Sequence, residues 1–160
     1  MAAQPLAGKV YVITGGASGI GLATAKLISE RGGTVCIADV DPIALTAAES
    51  YFAGKSVPFT VTAVDVSKRE QVEAWINATM DKFGRLDGAA NAAGVIGKDH
   101  GIKPVSALDD DEWDRILAVN LTGLMYCLRA QLNKISNGGS IVNVASIHGT
   151  TGQSMGVLWF

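Results

Sequence analysis

The 160-residue sequence has little of several features that would each indicate a particular class of protein. It has 2 cysteines and 2 histidines, with no spacing typical of a metal site. It has no run of about 18 apolar residues, which argues against a membrane span. Its lysines and arginines are few and scattered, and the net charge of −2 argues against nucleic-acid binding. The first residues lack the pattern of a secretory signal peptide, so we expect a cytoplasmic protein.

Apolar residues make up 48% of the chain, which is typical of a globular protein, and the length suits one domain over residues 1–160. Strand-type and helix-type segments alternate. This alternation predicts an α/β fold with a Rossmann-like, doubly wound parallel sheet of about five strands in the order 3-2-1-4-5. The predicted strands are 9–14, 34–39, 57–64, 86–90 and 140–145. The predicted helices are 20–31, 42–53, one that follows a capping box at 67–70 and ends near 83, and a long one over 109–134.

A glycine-rich segment joins the first predicted strand to the first predicted helix. Residues 14–21 read TGGASGIG, and the helix that follows has Ile20, Ala23, Leu27 and Ile28 on its apolar face. Glycine lets the backbone approach a pyrophosphate, and a helix N-terminus points N–H groups at it. The pattern therefore predicts a dinucleotide site, and a glycine-rich turn that binds no ligand is the alternative.

Further short segments recur beyond this loop in a fixed order. They are Asp65-Val66, Asn91-Ala92-Ala93-Gly94, Asn120 within the long helix, and Ser146 after the fifth strand. Together with the glycine-rich loop they resemble the short-chain dehydrogenase/reductase family, and the resemblance covers residues 6 to about 152. It implies hydride transfer between a nicotinamide cofactor and an alcohol or carbonyl of a small organic substrate. It also implies a homo-oligomer for a full-length form.

The resemblance implies cofactor-binding roles for residues of the loop and of the strand ends. These residues are Gly15, Ser18, Gly19, Ile20, Gly21, Asp39, Asp65, Val66, Asn91, Ala92 and Gly94. A carboxylate at Asp39, the end of strand two, accepts hydrogen bonds from ribose hydroxyls and repels a 2′-phosphate. Asp39 therefore favours NAD over NADP as the cofactor. Its alternative role is that of a turn residue before the Asp41 helix cap.

The same resemblance suggests how the remaining cofactor residues act. Asp65 would accept a hydrogen bond from the adenine amino group, beside the N–H of Val66, unless it only ends its strand. The segment from Asn91 to Gly94 would steady the central strand and lie along the cofactor ribose. A purely structural role for Asn91 is the alternative.

The resemblance also implies two catalytic residues. Ser146 would hydrogen-bond the substrate oxygen, and Asn120 would kink its helix and hold a water in a proton relay through its carbonyl. For Asn120, a side chain satisfied within the core is the alternative. The family's acid/base tyrosine falls at Trp159, whose indole does not titrate near neutral pH. His148 could titrate there, but no orienting partner is evident.

Two interpretations of function remain open from the sequence. In the first, the protein is an NAD(P)-dependent oxidoreductase. In the second, it is a truncated, catalytically inactive chain with at most dinucleotide binding, because the sequence stops at Phe160, before the family's Tyr-x-x-x-Lys motif and last strands. Strand five is then expected to form an exposed edge of the sheet.

Overall fold

The computed structural model describes residues 4–98 and 103–147, where five β-strands alternate with α-helices. The strands are β1 (Val10–Thr14), β2 (Thr34–Asp39), β3 (Phe59–Ala63), β4 (Gly88–Asn91) and β5 (Ser140–Asn143). The helices are α1 (Gly19–Glu30), α2 (Pro42–Ala53), α3 (Arg69–Phe83), α4 (Asp110–Leu117) and α5 (Leu124–Leu132). A 3₁₀ turn (Val105–Ala107) precedes α4, and a π-helical segment (Ala118–Gly123) joins α4 to α5. His148 and Trp159 lie outside the described residues.

The strands are parallel and lie in the order β3-β2-β1-β4-β5, which confirms the predicted Rossmann-like topology. The sheet grows in one direction from β1 to β3 and in the other from β4 to β5, so the switch point lies between β1 and β4. The register places Thr14 opposite both Ala38 and Asn91. The carboxyl ends of the central strands therefore meet at one edge, where a parallel sheet of this kind has its ligand crevice.

Helices cover both faces of the sheet, as a parallel sheet requires. On one face Val12 belongs to a buried cluster with Trp75 and Ile76 of α3. On the other face Ile13 belongs to a cluster with Ala25 of α1 and Phe52 of α2. Consecutive residues of β1 thus point into opposite layers, and each layer holds its helices against the central strand.

Helix α1 packs through small residues rather than through the apolar face predicted from the sequence. Its buried residues are Gly21, Ala25 and Ser29, which recur every four residues. Ile20 and Leu27, predicted on the apolar face, are 64% and 52% exposed. Small side chains allow the helix to approach the sheet closely, and this brings its N-terminus beside the end of β1.

The capping box predicted for α3 does not form. The hydroxyl and the N–H of Ser67 donate to Oδ1 of Asp65 over 2.7 and 2.9 Å, and the helix begins later, with Lys68 as its N-cap residue. A carboxylate is a stronger acceptor than a neutral group, which explains why the hydroxyl turns toward it. By contrast, Asp41 and Asp109 accept N–H groups at the starts of α2 and α4, as predicted.

The long helix predicted over 109–134 is interrupted by the π-helical segment, which contains Asn120. A π turn holds an extra residue, so the inward face shifts around the axis at this point. Ile116 before the segment and Cys127 after it are buried. Leu121, within the segment, is 49% exposed despite its apolar side chain. The sequence predicted the helical residues correctly but not this change of phase.

A buried amide network joins β4 to α5 and to β5. Nδ2 of Asn91 donates to Oε1 of Gln131 over 3.0 Å and to Oδ1 of Asn143 over 2.9 Å. Nε2 of Gln131 returns a 2.7 Å hydrogen bond to Oδ1 of Asn91. Within the described chain β5 pairs only with β4, and its Val142 is 59% exposed, as expected of an edge strand. The network therefore holds the outermost described strand in place.

Replacing Asn91 with alanine should lower the free energy of unfolding by about 2–3 kcal/mol, because the buried Gln131 amide would lose its partners. Asn133→Ala is the matched control, since Asn133 is exposed at the end of α5 and its loss should change stability by at most about 0.5 kcal/mol. Urea denaturation of both variants measures the difference. Equal stabilities would contradict the role given to the amide network.

Candidate dinucleotide-binding site

A cavity of about 720 Å³ lies at the carboxyl ends of the strands. Its size suits a small ligand or cofactor. It is formed by the β1–α1 turn, the ends of β2 and β3, the segment after β4, and one side of α4 and the π-helical segment. The bordering residues are Gly15, Ser18, Gly19, Ile20, Gly21, Asp39, Val40, Val64, Asp65, Val66, Ala92, Ala93, Gly94, Val95, Ile96, Arg115 and Val119. Ten of the residues predicted to bind a cofactor are therefore brought together, and Asn91 is the exception.

The β1–α1 turn closes so tightly that two of its glycines have no room for a side chain. Gly15 has a φ of +62°, and a Cβ there would lie 2.9 Å from the backbone of Ala92. A Cβ on Gly21 would collide with the carbonyl oxygen of Gly15. In both cases the Cβ would meet backbone atoms, which cannot move aside without distorting the chain. The turn therefore requires glycine at both positions.

Gly19 is required for a different reason. A Cβ there would meet no atom within 4 Å, but the residue has a φ of +49° at the first position of α1. The bare backbone at this point borders the cavity, and N–H groups in the first turn of a helix are groups that typically bind anions. Ser18 precedes the helix without a side-chain cap bond, so its hydroxyl is not used by the helix.

The Asp39 carboxylate stands between the glycine-rich turn and α2. Its Oδ2 accepts the N–H of Ala17 over 3.1 Å. Its Oδ1 accepts the N–H groups of Val40 and Asp41 over 2.8 and 3.3 Å. A carboxylate has about four acceptor positions, so one position remains for a further donor. Asp39 thus holds the turn in shape and still presents an acceptor at the cavity.

Asp65 at the end of β3 is held in a similar way. Its Oδ1 accepts both hydrogen bonds from Ser67, and its N–H donates to Oε1 of Gln71 over 2.8 Å. Within the described residues its Oδ2 has no hydrogen-bond partner. Val66 is buried and borders the same cavity. The arrangement offers one fixed, anionic acceptor some distance along the sheet from Asp39.

The segment after β4 is tied to β1. The N–H of Ala92 donates to the carbonyl of Thr14 over 3.2 Å, and the N–H of Ala93 donates to the Thr14 Oγ1 over 3.3 Å. Ala92 and Gly94 border the cavity with little side chain, which leaves room beside the sheet. The side chain of Asn91 takes part in the amide network instead. Its contacts are therefore those expected of a purely structural role, the alternative given for this residue above.

Neither of the two residues predicted to be catalytic borders the cavity. The side chain of Asn120 bonds both backbone groups of Val95. Its Oδ1 accepts the Val95 N–H over 2.8 Å, and its Nδ2 donates to the Val95 carbonyl over 3.0 Å. Ser146 is half-buried and follows β5 at the same edge of the sheet, where the Val144 N–H donates to the Asn91 carbonyl over 2.9 Å. The catalytic roles of Asn120 and Ser146 stay predictions.

Sequence reasoning missed the contribution of Arg115 to the cavity wall. Its Nε donates to Oε2 of Glu112 over 2.9 Å, and its Nη2 donates to Oε1 over 3.0 Å. These bonds, helped by the N–H of Lys98, hold the pKa of the Glu112 carboxyl at about 2. The spacing of three residues between Glu112 and Arg115 on a helix does predict that the two side chains can pair. It does not reveal that one of them borders a cavity.

Other kinds of site have less support in residues 4–98 and 103–147. No cluster of three histidine, cysteine or acidic side chains there could hold a metal ion. None of the helices in these ranges is both long and apolar enough to cross a bilayer. Cys36 and Cys127 are buried without a disulfide, and burial raises the pKa of the Cys127 thiol to about 12.

The fold and the cavity together define a Rossmann-type protein with a glycine-rich turn at the switch point. A family model for short chain dehydrogenases matches residues 9–159. The chain therefore belongs to the short-chain dehydrogenase/reductase family, which confirms the resemblance found in the sequence.

Comparison with individual proteins agrees with this assignment. The chain is 68% identical over 149 residues to short-chain dehydrogenase/reductase ABA4 of Pyricularia oryzae, a match that covers 92% of this chain and 55% of that protein. It is 43% identical over 150 residues to chanoclavine-I dehydrogenase easD of Claviceps purpurea, with 87% and 57% covered. The structure of NAD⁺-bound xylitol dehydrogenase matches with a TM-score of 0.86 at 32% identity, with 93% and 57% covered.

The chain thus spans little more than half the length of these relatives. Nothing in the matches favours an inactive chain over an oxidoreductase.

Replacing Gly21 with alanine should lower the free energy of unfolding by about 1–3 kcal/mol, because the new methyl group would force the turn away from the Gly15 carbonyl. Gly54→Ala is the control: Gly54 has an ordinary φ of −81°, and a Cβ there would meet only the Tyr51 carbonyl at 3.8 Å. That variant should be as stable as the parent or slightly more stable. Thermal or urea denaturation that ranked the two variants equally would contradict the steric argument.

Proposed function

We propose that the protein acts as an NAD(H)-dependent oxidoreductase on the alcohol or carbonyl group of a small organic substrate. One observation carries the proposal. A single cavity is bordered by a side-chain-free turn at a helix N-terminus and by two carboxylates, Asp39 and Asp65, each with an acceptor position to spare. A dinucleotide has an anionic centre flanked by groups that donate hydrogen bonds, so its chemistry fits this arrangement.

The pyrophosphate would lie over the β1–α1 turn. The turn has no side chains at Gly15, Gly19 and Gly21, and the positive end of the α1 dipole points toward the cavity. The hydroxyl of Ser18 can donate to a phosphate oxygen. The resting hydrogen bonds of the turn, including the one from Ala17 to Asp39, hold it in this shape without a ligand.

The two carboxylates would bind the adenosine half of the cofactor. The remaining acceptor position of Asp39 suits a ribose hydroxyl, and its negative charge opposes a 2′-phosphate. Oδ2 of Asp65 suits the adenine amino group, with Val66 beside it. Both carboxylates are fixed by backbone N–H groups, so they need no rearrangement on binding.

The bound nicotinamide would supply or accept the hydride. The residues of the chain must then orient the substrate and handle a proton on its oxygen. The Ser146 hydroxyl, at the carboxyl end of β5, is proposed to hydrogen-bond that oxygen. The side-chain amide of Asn120 already bonds both backbone groups of Val95, so the proton-relay role is proposed for its main-chain carbonyl.

The chain should bind NAD⁺ about tenfold or more tightly than NADP⁺, because a 2′-phosphate in contact with the Asp39 carboxylate would be repelled by roughly 1–4 kcal/mol. Asp39→Asn removes the negative charge and should bring the affinities for NAD⁺ and NADP⁺ closer together, which lowers their ratio. Asp41→Asn, two residues away at the α2 N-cap, is the matched control and should leave the ratio unchanged.

Isothermal titration calorimetry with both dinucleotides makes the comparison. Tighter binding of NADP⁺ by the parent chain would overturn the role of Asp39. No binding of either dinucleotide would overturn the proposed function itself.

A further inference from the structure

Residues 95–98, the loop that follows Gly94, are fastened to α4 and the π-helical segment at three separate points. Asn120 bonds both backbone groups of Val95. Nη2 of Arg115 donates to the carbonyl of Ile96 over 3.2 Å. Oε1 of Glu112 accepts the N–H of Lys98 over 2.8 Å. Three of the four loop residues are therefore held by side chains of α4 and the π-helical segment.

The Glu112 carboxylate is only 8% exposed, which is unusual for a charged group near the start of a helix. Its position relative to the Asp109 N-cap would allow it to bond the backbone N–H at the cap. It turns instead toward Arg115 and the loop, and accepts three hydrogen bonds from them. Charge pairing and these bonds offset the cost of removing the carboxylate from water.

Gly97 allows the loop to lie directly against α4. A Cβ there would be 3.0 Å from Cδ1 of Ile116 and 3.5 Å from Oε1 of Glu112. The same loop forms a wall of the cavity through Val95 and Ile96, and Arg115 borders the cavity beside it. The buried Glu112 carboxylate thus lies behind a wall that a bound dinucleotide would contact, and its half-exposed partner Arg115 is part of that wall.

We propose that Glu112 and Arg115 are positioning residues that hold the loop 95–98 in the conformation that binds the cofactor. The inference rests on the proposed function, since it concerns the affinity of the same cavity. A loop that is already fixed loses less conformational freedom when a ligand binds. The ion pair therefore raises the affinity for the dinucleotide although Glu112 itself does not contact it. Glu112 does not border the cavity, and this separates positioning from direct contact.

The test combines hydrogen–deuterium exchange with calorimetric titration of NAD⁺. Glu112→Gln and Arg115→Met should speed exchange at the amides of Ile96 and Lys98 in the free protein, and leave exchange in β2 unchanged. Both should weaken NAD⁺ binding by about three- to tenfold, the effect of ordering a few side chains and the loop on binding. Arg115→Lys keeps the charge but cannot bond Glu112 and Ile96 together, so its affinity should fall between those of the parent and Arg115→Met.

Glu73→Gln is the matched control. It removes the carboxylate from the exposed ion pair between Arg69 and Glu73 on α3, and neither residue borders the cavity. It should change neither the loop exchange nor the affinity. Faster loop exchange in Glu112→Gln with an unchanged affinity would overturn the positioning role and leave the proposed function standing. Faster exchange in β2 to the same extent as in the loop would overturn it as well, since the pair would then only stabilise the fold. A parent chain that binds no NAD⁺ would overturn the proposed function and the positioning role together.

Discussion

Among the glycines that the structure describes, Gly21 has the least space for a side chain, because a Cβ there would collide with the carbonyl oxygen of Gly15. This contact sets the angle at which α1 leaves β1, and the small buried residues Ala25 and Ser29 then keep the helix close to the sheet. The N–H groups of the first helical turn consequently face the crevice between β1 and β4. The position of these N–H groups is therefore a product of backbone packing, and Asp39 holds the turn by accepting the N–H of Ala17.

The opposite wall of the cavity depends on side chains rather than on backbone packing. The π-helical segment places Asn120 toward Val95, and the buried Glu112 with its half-exposed partner Arg115 bonds the loop beyond it. A π turn in place of a regular α turn is common at functional sites because it redirects side chains. One wall is thus rigid through glycine contacts and the other through hydrogen bonds, which gives the cavity its shape before any ligand is present.

The sequence predicted the order of the strands and most helix boundaries, because alternation of strand and helix patterns has few topological solutions. It located the loop glycines, Asp39 and Asp65, since these residues sit at strand ends that a parallel sheet brings together. It could not predict that Ile20 and Leu27 would be exposed, because the steric demand of Gly21 overrides apolar periodicity. It also missed Arg115, whose role depends on a contact with Ile96, nineteen residues away in sequence.

The cavity formed where the strands end is proposed to bind a nicotinamide dinucleotide. Backbone-amide NMR of the chain titrated with NAD⁺ tests it most directly, because each wall of the cavity supplies its own amide signals. We expect the largest shift changes in residues 15–21, at Val40 and Val66, and in residues 92–96. Changes confined to the groove between α3 and α5, around Asn77 and Lys134, or the absence of saturable changes at the glycine-rich turn, would contradict the account.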